Sequence, residues 1–418
     1  MNVRRHYRLT TLAALVVLAI PSSALAASPG QTTRDESGTG RATSPTSAAD
    51  PDALTTEQAL ELDAQSYAHT TGVSQAEALE VLRAQGEIAV ALDRIRQSAG
   101  PRFDGAWFDD DGKHATVRLV GQDFSTTVDR LIAQSGSLIS VEHTDSPIVP
   151  SRRAIADEAA RVLHRNGDSA GVGVDPRDGS ILFVVDGPPP VQLTAAASSG
   201  PALVAEQTAR VADVPTRVEW TGGTSSDDQR GGVARTGCTI GFSIAWTAGG
   251  TGVVSAGHCD PNTGQKYATT PTGSPSYTLT HVNESRTSTT DMETSRLASH
   301  TPLASFFGQS SSTATAVTGT GTAWTGQYLC HRGKVTGYTC GYVVLIDYAP
   351  PTGACPSACA STWVLVQGID LRRAVGDSGG PWFIGTTAYG VHKGGSGLTT
   401  AWYCPIGRLA NLGARVLT

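Results

Sequence analysis

Two short strings toward the C-terminal end carry residue types that could perform acyl transfer. Residues 376–381 read Gly-Asp-Ser-Gly-Gly-Pro, and residues 255–259 read Ser-Ala-Gly-His-Cys. The first string sets Ser378 between glycines, where the backbone can approach a reacting carbonyl closely. The second contains His258, which can take a proton near neutral pH. Because a serine alone is a weak nucleophile and needs such a base within hydrogen-bond reach, the two strings predict a serine hydrolase.

A carboxylate that orients the imidazole should complete this group, and a His…Asp…Ser order places it between the two strings. Asp291 is our candidate, 33 residues after His258 and 87 residues before Ser378. Glu293 has the same strand parity and is the competing carboxylate, whereas Asp260 is too close to His258 in sequence to orient its ring. We therefore expect a catalytic triad of Ser378, His258 and Asp291.

Four strings together resemble those of the chymotrypsin-fold serine peptidases, in particular the secreted bacterial streptogrisin and alpha-lytic type. They are the two strings above, Cys-Thr-Ile-Gly-Phe at 238–242 and Thr-Gly-Tyr-Thr-Cys-Gly at 336–341. The resemblance covers about residues 235–418, somewhat under half of the chain. It implies an all-β, trypsin-like domain of two packed antiparallel six-stranded Greek-key barrels that hydrolyses peptide bonds through an acyl-enzyme. Many short runs rich in Val, Ile, Thr and Tyr, broken by glycine, fit such barrels.

The resemblance also implies supporting residues around the nucleophile. The backbone N–H groups of Gly376 and Ser378 should form an oxyanion hole. Asp377 should be buried and paired with a cation. In the family this cation follows a cysteine, and Arg332 stands one position later than that pattern. It remains the best candidate because its charge does not titrate.

All seven cysteines lie in the C-terminal part of the chain. In an exported domain this clustering indicates disulfides rather than zinc, and neither a Cys-x2-Cys pair nor histidines at ligand spacing accompany them. We therefore expect no metal site, and the proposed chemistry needs no cofactor. Of Cys355, Cys359 and Cys404, either one thiol is free, or a short Cys355–Cys359 loop leaves Cys404 unpaired. The disulfides implied by the resemblance are Cys238–Cys259 and Cys330–Cys340.

Substrate preference should depend on two segments that flank the nucleophile. One wall of the pocket is expected at 391–397, where His392 resembles the glutamate-preferring members and Lys393 stands where the family favours serine. The other segment, 371–375, contains two arginines and lacks the family's bracing cysteine. These cations favour a pocket for an acidic side chain before the cut; alternatively they point outward and the pocket takes apolar side chains. The predicted pocket residues are His392, Lys393, Gly394, Gly395 and Arg372.

The N-terminal part of the 418-residue chain reads as export and processing segments. Residues 1–27 predict a secretory signal peptide, with basic residues, an apolar run and an Ala-Leu-Ala ending. That run is too short to span a bilayer, and no later stretch is apolar enough, so we expect a secreted protein without a membrane segment. Residues 28–53, rich in Ser, Thr, Gly and Pro, predict a disordered linker.

Residues 54–225 predict an α+β pro-region. The string Phe-Asp-Gly-Ala-Trp at 103–107 resembles the pro-regions of the same peptidases, which implies a folding template that blocks the active site until it is removed. Capping-box patterns mark helix starts, and Asp/Gly turns mark β-hairpins. Helices are predicted within 54–95 and at about 123–134 and 151–165, and hairpin turns at 109–112 and 175–179.

We place maturation between about residues 224 and 235, so that the peptidase domain spans 226–418. The sequence therefore predicts a secreted serine endopeptidase made as a zymogen and monomeric once mature. Its expected partners are a protein or peptide substrate and its own pro-region; no basic aromatic groove indicates nucleic acid. Two alternatives stay open: an inactive secreted binding protein that kept the fold, and an esterase or narrow processing hydrolase.

Overall fold

The computed structural model describes residues 49–184, 228–259 and 264–418. The predicted signal peptide, most of the linker and the start of the maturation segment lie outside these ranges. The described residues belong to one compact unit, and none of their helices is long and apolar enough to cross a membrane. The helices are α1 (Thr56–Thr71), α2 (Gln75–Ala99), α3 (Thr126–Ser135) and α4 (Val149–Asn166).

Local capping signals explain where the first two helices begin. Thr55 and Gln58 form a reciprocal capping box at the start of α1, which ends at Gly72 in the left-handed conformation. Ser74 caps α2 by accepting a hydrogen bond from the Glu77 N–H. These side chains satisfy N–H groups that the first helical turn leaves unpaired, so both helices form where the sequence predicts them.

The strands before residue 185 form a small sheet and a hairpin. The sheet has the order β1-β2-β3, with β1 and β2 antiparallel and β2 and β3 parallel. Helix α3 connects the two parallel strands, as a parallel connection requires. These strands are β1 (Phe103–Phe108), β2 (Ala115–Val120), β3 (Ile139–Thr144), β4 (Gly171–Val174) and β5 (Ile181–Val184), of which β4 and β5 pair as the hairpin.

The strands after residue 227 are short and mostly antiparallel. They are β6 (Asp228–Gly231), β7 (Ser243–Trp246), β8 (Thr251–Ser255), β9 (Lys266–Tyr267), β10 (Tyr277–Arg286), β11 (Asp291–Leu297), β12 (Thr301–Phe306), β13 (Thr315–Ala316), β14 (Gly319–Thr320), β15 (Tyr328–Gly333), β16 (Gly337–Ala349), β17 (Trp363–Gln367), β18 (Pro381–Ile384), β19 (Thr387–Ser396), β20 (Thr400–Pro405) and β21 (Ala414–Val416).

These strands build the two halves of a trypsin-like double barrel. The first half contains a six-stranded antiparallel sheet of order β21-β7-β8-β11-β10-β9, flanked by β13-β12-β6. In the second half, β15, β18, β19, β20, β17 and β16 pair in that order, and β16 pairs back to β15. This ring is a closed six-stranded antiparallel barrel. The predicted all-β, trypsin-like fold class is therefore confirmed.

The hairpin β4–β5 adds two strands to the second barrel's sheet. Gly173 lies opposite Tyr348, and Val172 lies opposite Ala349 at the end of β16. A Cβ at Gly173 would lie 2.9 Å from the Asp347 carbonyl oxygen, so only glycine permits this close approach of two backbones. The sequence predicts the hairpin, but not that it continues the sheet of the barrel.

One large apolar cluster joins the helical part to the second barrel. It includes Tyr67 of α1 and Leu82 of α2 together with Tyr328 and Val343 of the barrel. The rings of Tyr67 and Tyr328 meet edge to face, with their centroids 5.0 Å apart. Burial of this continuous apolar surface holds the two parts together.

Candidate active site

His258 is held just beyond the end of β8. The disulfide between Cys238 and Cys259 ties its loop to the preceding segment. Ser255 donates a hydrogen bond of 2.7 Å to the Thr239 carbonyl, which fixes the base of the same loop. The imidazole side chain is 27% exposed, so one edge of the ring remains open to the cleft.

Asp291 opens β11 and lies on the inner side of His258. Its side chain is 5% exposed, and its Oδ2 is 2.5 Å from His258 Nδ1. Burial acts to raise the pKa of Asp291, but the contacts with His258 and Lys393 outweigh it and hold that pKa below its ordinary value. Asp291 is therefore ionised and can keep the Nδ1 proton of the imidazole in place.

Ser378 faces the other nitrogen of the same imidazole. Its Oγ is 2.9 Å from His258 Nε2, and its backbone carbonyl accepts a 2.8 Å hydrogen bond from the Thr239 N–H. The structure thus brings the three predicted triad residues into one line: carboxylate, imidazole, hydroxyl. That geometry suits proton transfer from the hydroxyl to the ring.

The turn before Ser378 is held by the buried carboxylate of Asp377. This carboxylate accepts hydrogen bonds from the N–H groups of Ala374 (2.7 Å), Val335 (2.9 Å) and Thr336 (3.2 Å), and from the Thr336 hydroxyl (2.8 Å). Four donors stabilise the charge without a cation. The turn is consequently rigid although it consists largely of small residues.

The expected ion pair between Asp377 and Arg332 is not formed among the described residues. Arg332 Nη1 instead donates to the Gly308 carbonyl at 3.1 Å, and burial lowers the pKa of Arg332 to about 10. The four donors around Asp377 explain why this carboxylate needs no guanidinium. The resemblance implied a cationic partner, but this chain satisfies the carboxylate with three backbone N–H groups and the Thr336 hydroxyl.

Gly376 adopts a backbone conformation that favours glycine, with φ +107°. A Cβ here would lie 2.9 Å from Lys334 Cε. The N–H groups of Gly376 and Ser378 make no hydrogen bond to another described residue. Both donors therefore remain available to an oxyanion beside the Ser378 hydroxyl.

The residues predicted for the pocket lie in several different environments. His392 is buried and stacks on His331, with ring centroids 4.9 Å apart and planes 8° apart. Burial, then repulsion by His331, holds the pKa of His392 well below its ordinary value. Trp382 Nε1 donates to His392 Nδ1 at 3.3 Å, so the proton of the neutral ring resides on Nε2.

The cations of the predicted pocket have partners of their own. The Arg372 guanidinium donates to the Leu371 carbonyl at 2.8 Å, and Arg373 Nε donates to the Gly397 carbonyl at 2.7 Å. Gly394 and Gly395 lie on β19, paired with Trp402 and Ala401 of β20. The arginines therefore surround the pocket segments but already hydrogen-bond to backbone carbonyls.

Lys393 lies closer to the triad than the sequence indicates. Its Nζ is 3.0 Å from Asp291 Oδ2 and 3.3 Å from His258 Nδ1. The pairing of β19 with β20 shifts register between His392 and Gly394, so Lys393 lies at a strand irregularity that redirects its side chain. The sequence shows a lysine where the family favours serine, but this difference alone does not predict the contact of Lys393 with Asp291 and His258.

The competing carboxylate Glu293 has a different partner. It is 1% exposed and forms an ion pair with the equally buried Arg235. His281 Nδ1 lies 3.7 Å from its other oxygen. Glu293 therefore stabilises the first half of the double barrel and makes no contact with the triad.

Of the arrangements left open for Cys355, Cys359 and Cys404, the structure shows the short Cys355–Cys359 loop with Cys404 unpaired. Disulfides join Cys330 to Cys340 and Cys355 to Cys359, and Cys404 is a buried free thiol.

The loop closed by Cys355–Cys359 lines a cleft of about 330 Å³ beside His258, Arg286 and Lys393. No described group of His, Cys, Asp and Glu is arranged to hold a metal ion.

Comparisons with known proteins give similarities to solved structures. No family model and no curated protein matches the chain. The Nocardiopsis protease is 26% identical over 46% of this chain and all of that protein, with a TM-score of 0.38. Cellulomonas bogoriensis chymotrypsin is 27% identical over 46% and 99%, with a TM-score of 0.36. A glutamic acid specific serine protease that utilizes a novel histidine triad in substrate binding is 25% identical over 44% and 98%, with a TM-score of 0.37.

Proposed function

We propose that the chain is a secreted serine endopeptidase that is synthesised as a zymogen. The observation that carries this proposal is the line of Asp291, His258 and Ser378, with contacts of 2.5 and 2.9 Å on the two nitrogens of one imidazole. Two free N–H donors beside the hydroxyl complete what acyl transfer requires. The expected partners are a protein or peptide substrate and the chain's own pro-region.

The reaction proceeds in two acyl-transfer steps. Ser378 Oγ attacks the substrate carbonyl while its proton passes to His258 Nε2, and Asp291 stabilises the imidazolium. The N–H groups of Gly376 and Ser378 stabilise the oxyanion, each contributing about 10²–10³-fold in rate. His258 then protonates the leaving amine as the C–N bond breaks. Water, deprotonated by the same ring, releases the acid and restores the serine.

We further propose that the enzyme prefers an acidic residue before the cut. The support is the fixed tautomer of His392, whose Nε2 carries the proton and so is a hydrogen-bond donor, as a carboxylate requires. The arginines at 372 and 373 add positive charge to the neighbourhood. A panel of peptides with Glu, Asp, Phe or Leu before the scissile bond tests this preference. Cleavage after Phe or Leu with none after Glu would contradict it.

We propose that residues 54–225 are the pro-region of this zymogen. Buried polar contacts link it to the peptidase part. Just before this segment, Asp50 of the predicted linker forms a bidentate pair with Arg230 (2.5 and 2.9 Å) and accepts a 2.7 Å hydrogen bond from Ser305. On α1, the buried Asp63 accepts hydrogen bonds from Tyr338 and from backbone and side-chain donors of the barrel. Such contacts suit a segment that binds the folded domain specifically.

The experiment that tests the proposed function compares intact masses of secreted wild type and Ser378→Ala after exposure to a fluorophosphonate probe. We expect wild type to begin near residues 224–235 and to gain one probe, whereas the variant stays full length and unlabelled. Peptide hydrolysis by the variant should fall by about 10⁶-fold because the nucleophile is missing.

Two other outcomes identify the alternatives. A folded wild type that is neither cut nor labelled would establish the inactive binding protein. A labelled wild type that hydrolyses small esters but cleaves no protein or peptide would establish the esterase.

A further inference from the structure

Lys393 contacts every member of the proposed triad. Its Nζ lies 3.0 Å from Asp291 Oδ2 and 3.3 Å from His258 Nδ1. Its backbone carbonyl oxygen lies 3.5 Å from Ser378 Oγ. The side chain is 10% exposed, so the ammonium is held in place and largely removed from solvent.

The ammonium and the imidazole share one carboxylate oxygen. Asp291 Oδ2 is 2.5 Å from His258 Nδ1 and 3.0 Å from Lys393 Nζ. When Nδ1 carries the proton that it donates to Asp291, it has no lone pair for Nζ. The contact between Lys393 and the ring is then one of charge, and it opposes formation of an imidazolium.

We propose that Lys393 is a positioning residue of the catalytic centre, which anchors Asp291 and extends the activity of the Ser378–His258 pair to more acidic pH. The proposal rests on the proposed function. A fixed cation beside the ring opposes a second positive charge there. The same cation holds the carboxylate that orients the ring.

Other groups near the ring contribute less to this effect. Arg286 Nε is 4.0 Å from Asp291 Oδ1, but its side chain is 45% exposed and water screens its charge. His392 stays neutral because its pKa is well below the ordinary value, and burial raises the pKa of the Cys404 thiol to about 12. Among the described residues, the groups that face His258 or its carboxylate are Asp291 from β11, Arg286 from β10, Lys393 and His392 from β19, and Cys404 from β20.

The test measures the second-order rate constant of fluorophosphonate labelling from pH 4.5 to 9. It compares wild type, Lys393→Met and Lys393→Arg as species that begin at the same residue, which their intact masses verify. We expect the midpoint of the acid limb to rise by about one pH unit in the Met variant, because an imidazolium then forms more readily. The Arg variant, which keeps the charge, should retain the wild-type midpoint. Lys266→Met, at an exposed lysine of β9, controls for the change in net charge.

The other outcomes contradict either the proposal for Lys393 or the proposed function. A Met variant that labels more slowly but keeps the wild-type midpoint would overturn the proposal and leave Lys393 a packing role. Faster labelling at every pH with an unchanged midpoint would also overturn it. Lys393 would then be stabilising the tautomer of His258 that carries its proton on Nε2, which cannot accept the proton of Ser378. Failure of wild type to label would instead refute the proposed function. If the Met variant does not fold by near-ultraviolet circular dichroism, Lys393→Gln removes the charge and keeps a polar side chain for the same measurement.

Discussion

Two buried carboxylates, two residues apart on β11, serve different purposes. Asp291 contacts the imidazole of His258, whereas Glu293 forms an ion pair with Arg235. The side chains of Asp291 and Glu293 are 5% and 1% exposed, so each carboxylate depends on a positively charged or hydrogen-bonding partner. Their partners, rather than their burial or strand parity, decide which one orients the base.

We predict that Glu293→Gln lowers the free energy of unfolding by about 3–5 kcal/mol, because it removes the buried negative charge that faces the guanidinium of Arg235. Denaturant unfolding in the Ser378→Ala background measures this loss. The matched control is Glu284→Gln, at the exposed residue opposite Glu293 on β10, which should change stability by less than about 0.5 kcal/mol. Folded Glu293→Gln with an active Ser378 should still react with the fluorophosphonate; loss of that reaction would assign the orienting role to Glu293.

At the scale of residues, the sequence predicts the triad because its three members stand in strings with fixed local geometry. The contacts of Lys393 and Arg332 could not be predicted in the same way. Each depends on the direction in which a strand presents its side chain and on which backbone donors another loop supplies. Asp377 illustrates the second case, since its four donors come from segments about 40 residues apart.

Among the elements, α1 carries a buried acid into the interface with the barrel. Asp63 is fully buried and accepts hydrogen bonds from the Tyr338 hydroxyl (2.6 Å), the Gly385 N–H (2.6 Å) and Gln309 Nε2 (3.1 Å). Burial raises its pKa to about 7, although these hydrogen bonds act in the opposite direction. The helix is therefore held most firmly when this carboxyl is protonated.

We predict that stability at this interface falls as pH rises. The pKa of Asp63 is above its value of 3.8 in the exposed chain, so the native state binds the extra proton between about pH 4 and pH 7. Across that window the free energy of unfolding should decrease by about 1.4 kcal/mol per pH unit from this group. Above pH 7 this contribution is lost.

Full-length Ser378→Ala with and without Asp63→Asn measures this effect by denaturant unfolding at pH 5 and pH 7. The Asn variant should lose less stability between the two values, by roughly 2–3 kcal/mol. Glu61→Gln, an exposed neighbour on α1, should behave like the parent. Equal pH dependence in all three proteins would contradict the prediction.

The elements themselves were largely predictable, whereas their docking was not. Capping boxes and Asp/Gly turns act within a few residues, so the helices and hairpins of the first part follow from the sequence. The addition of β4 to β16 joins residues some 175 positions apart. It depends on a glycine at 173, whose spatial role no local pattern reveals.

Across the described part of the molecule, residues 49–184 and the double barrel share one apolar cluster and one sheet. Strands distant in sequence pair throughout the barrel, and such topologies fold slowly because loops must close before contacts form. A segment such as residues 49–184, which presents a preformed strand and two helices with buried apolar side chains, can stabilise the barrel while it assembles.

We predict that a chain lacking residues 28–225 but retaining the signal segment yields several-fold less labelled enzyme than the full chain. Supplying residues 28–225 as a separate exported polypeptide should restore the yield. The control supplies the same polypeptide with Gly173→Val, which blocks the pairing of β4 with β16 through the clash with the Asp347 carbonyl oxygen. Equal yields with and without the segment would show that the barrel folds unaided.

The buried thiol of Cys404 can report the unfolding of the barrel. Its thiol is fully buried on β20, and burial raises its pKa to about 12, while the other six cysteines are tied in disulfides. A thiol reagent can reach this sulfur only after the barrel has come apart, and the exposed thiol then ionises readily at mildly alkaline pH. When modification is faster than reclosing, its rate under native conditions therefore reports how long one molecule stays folded.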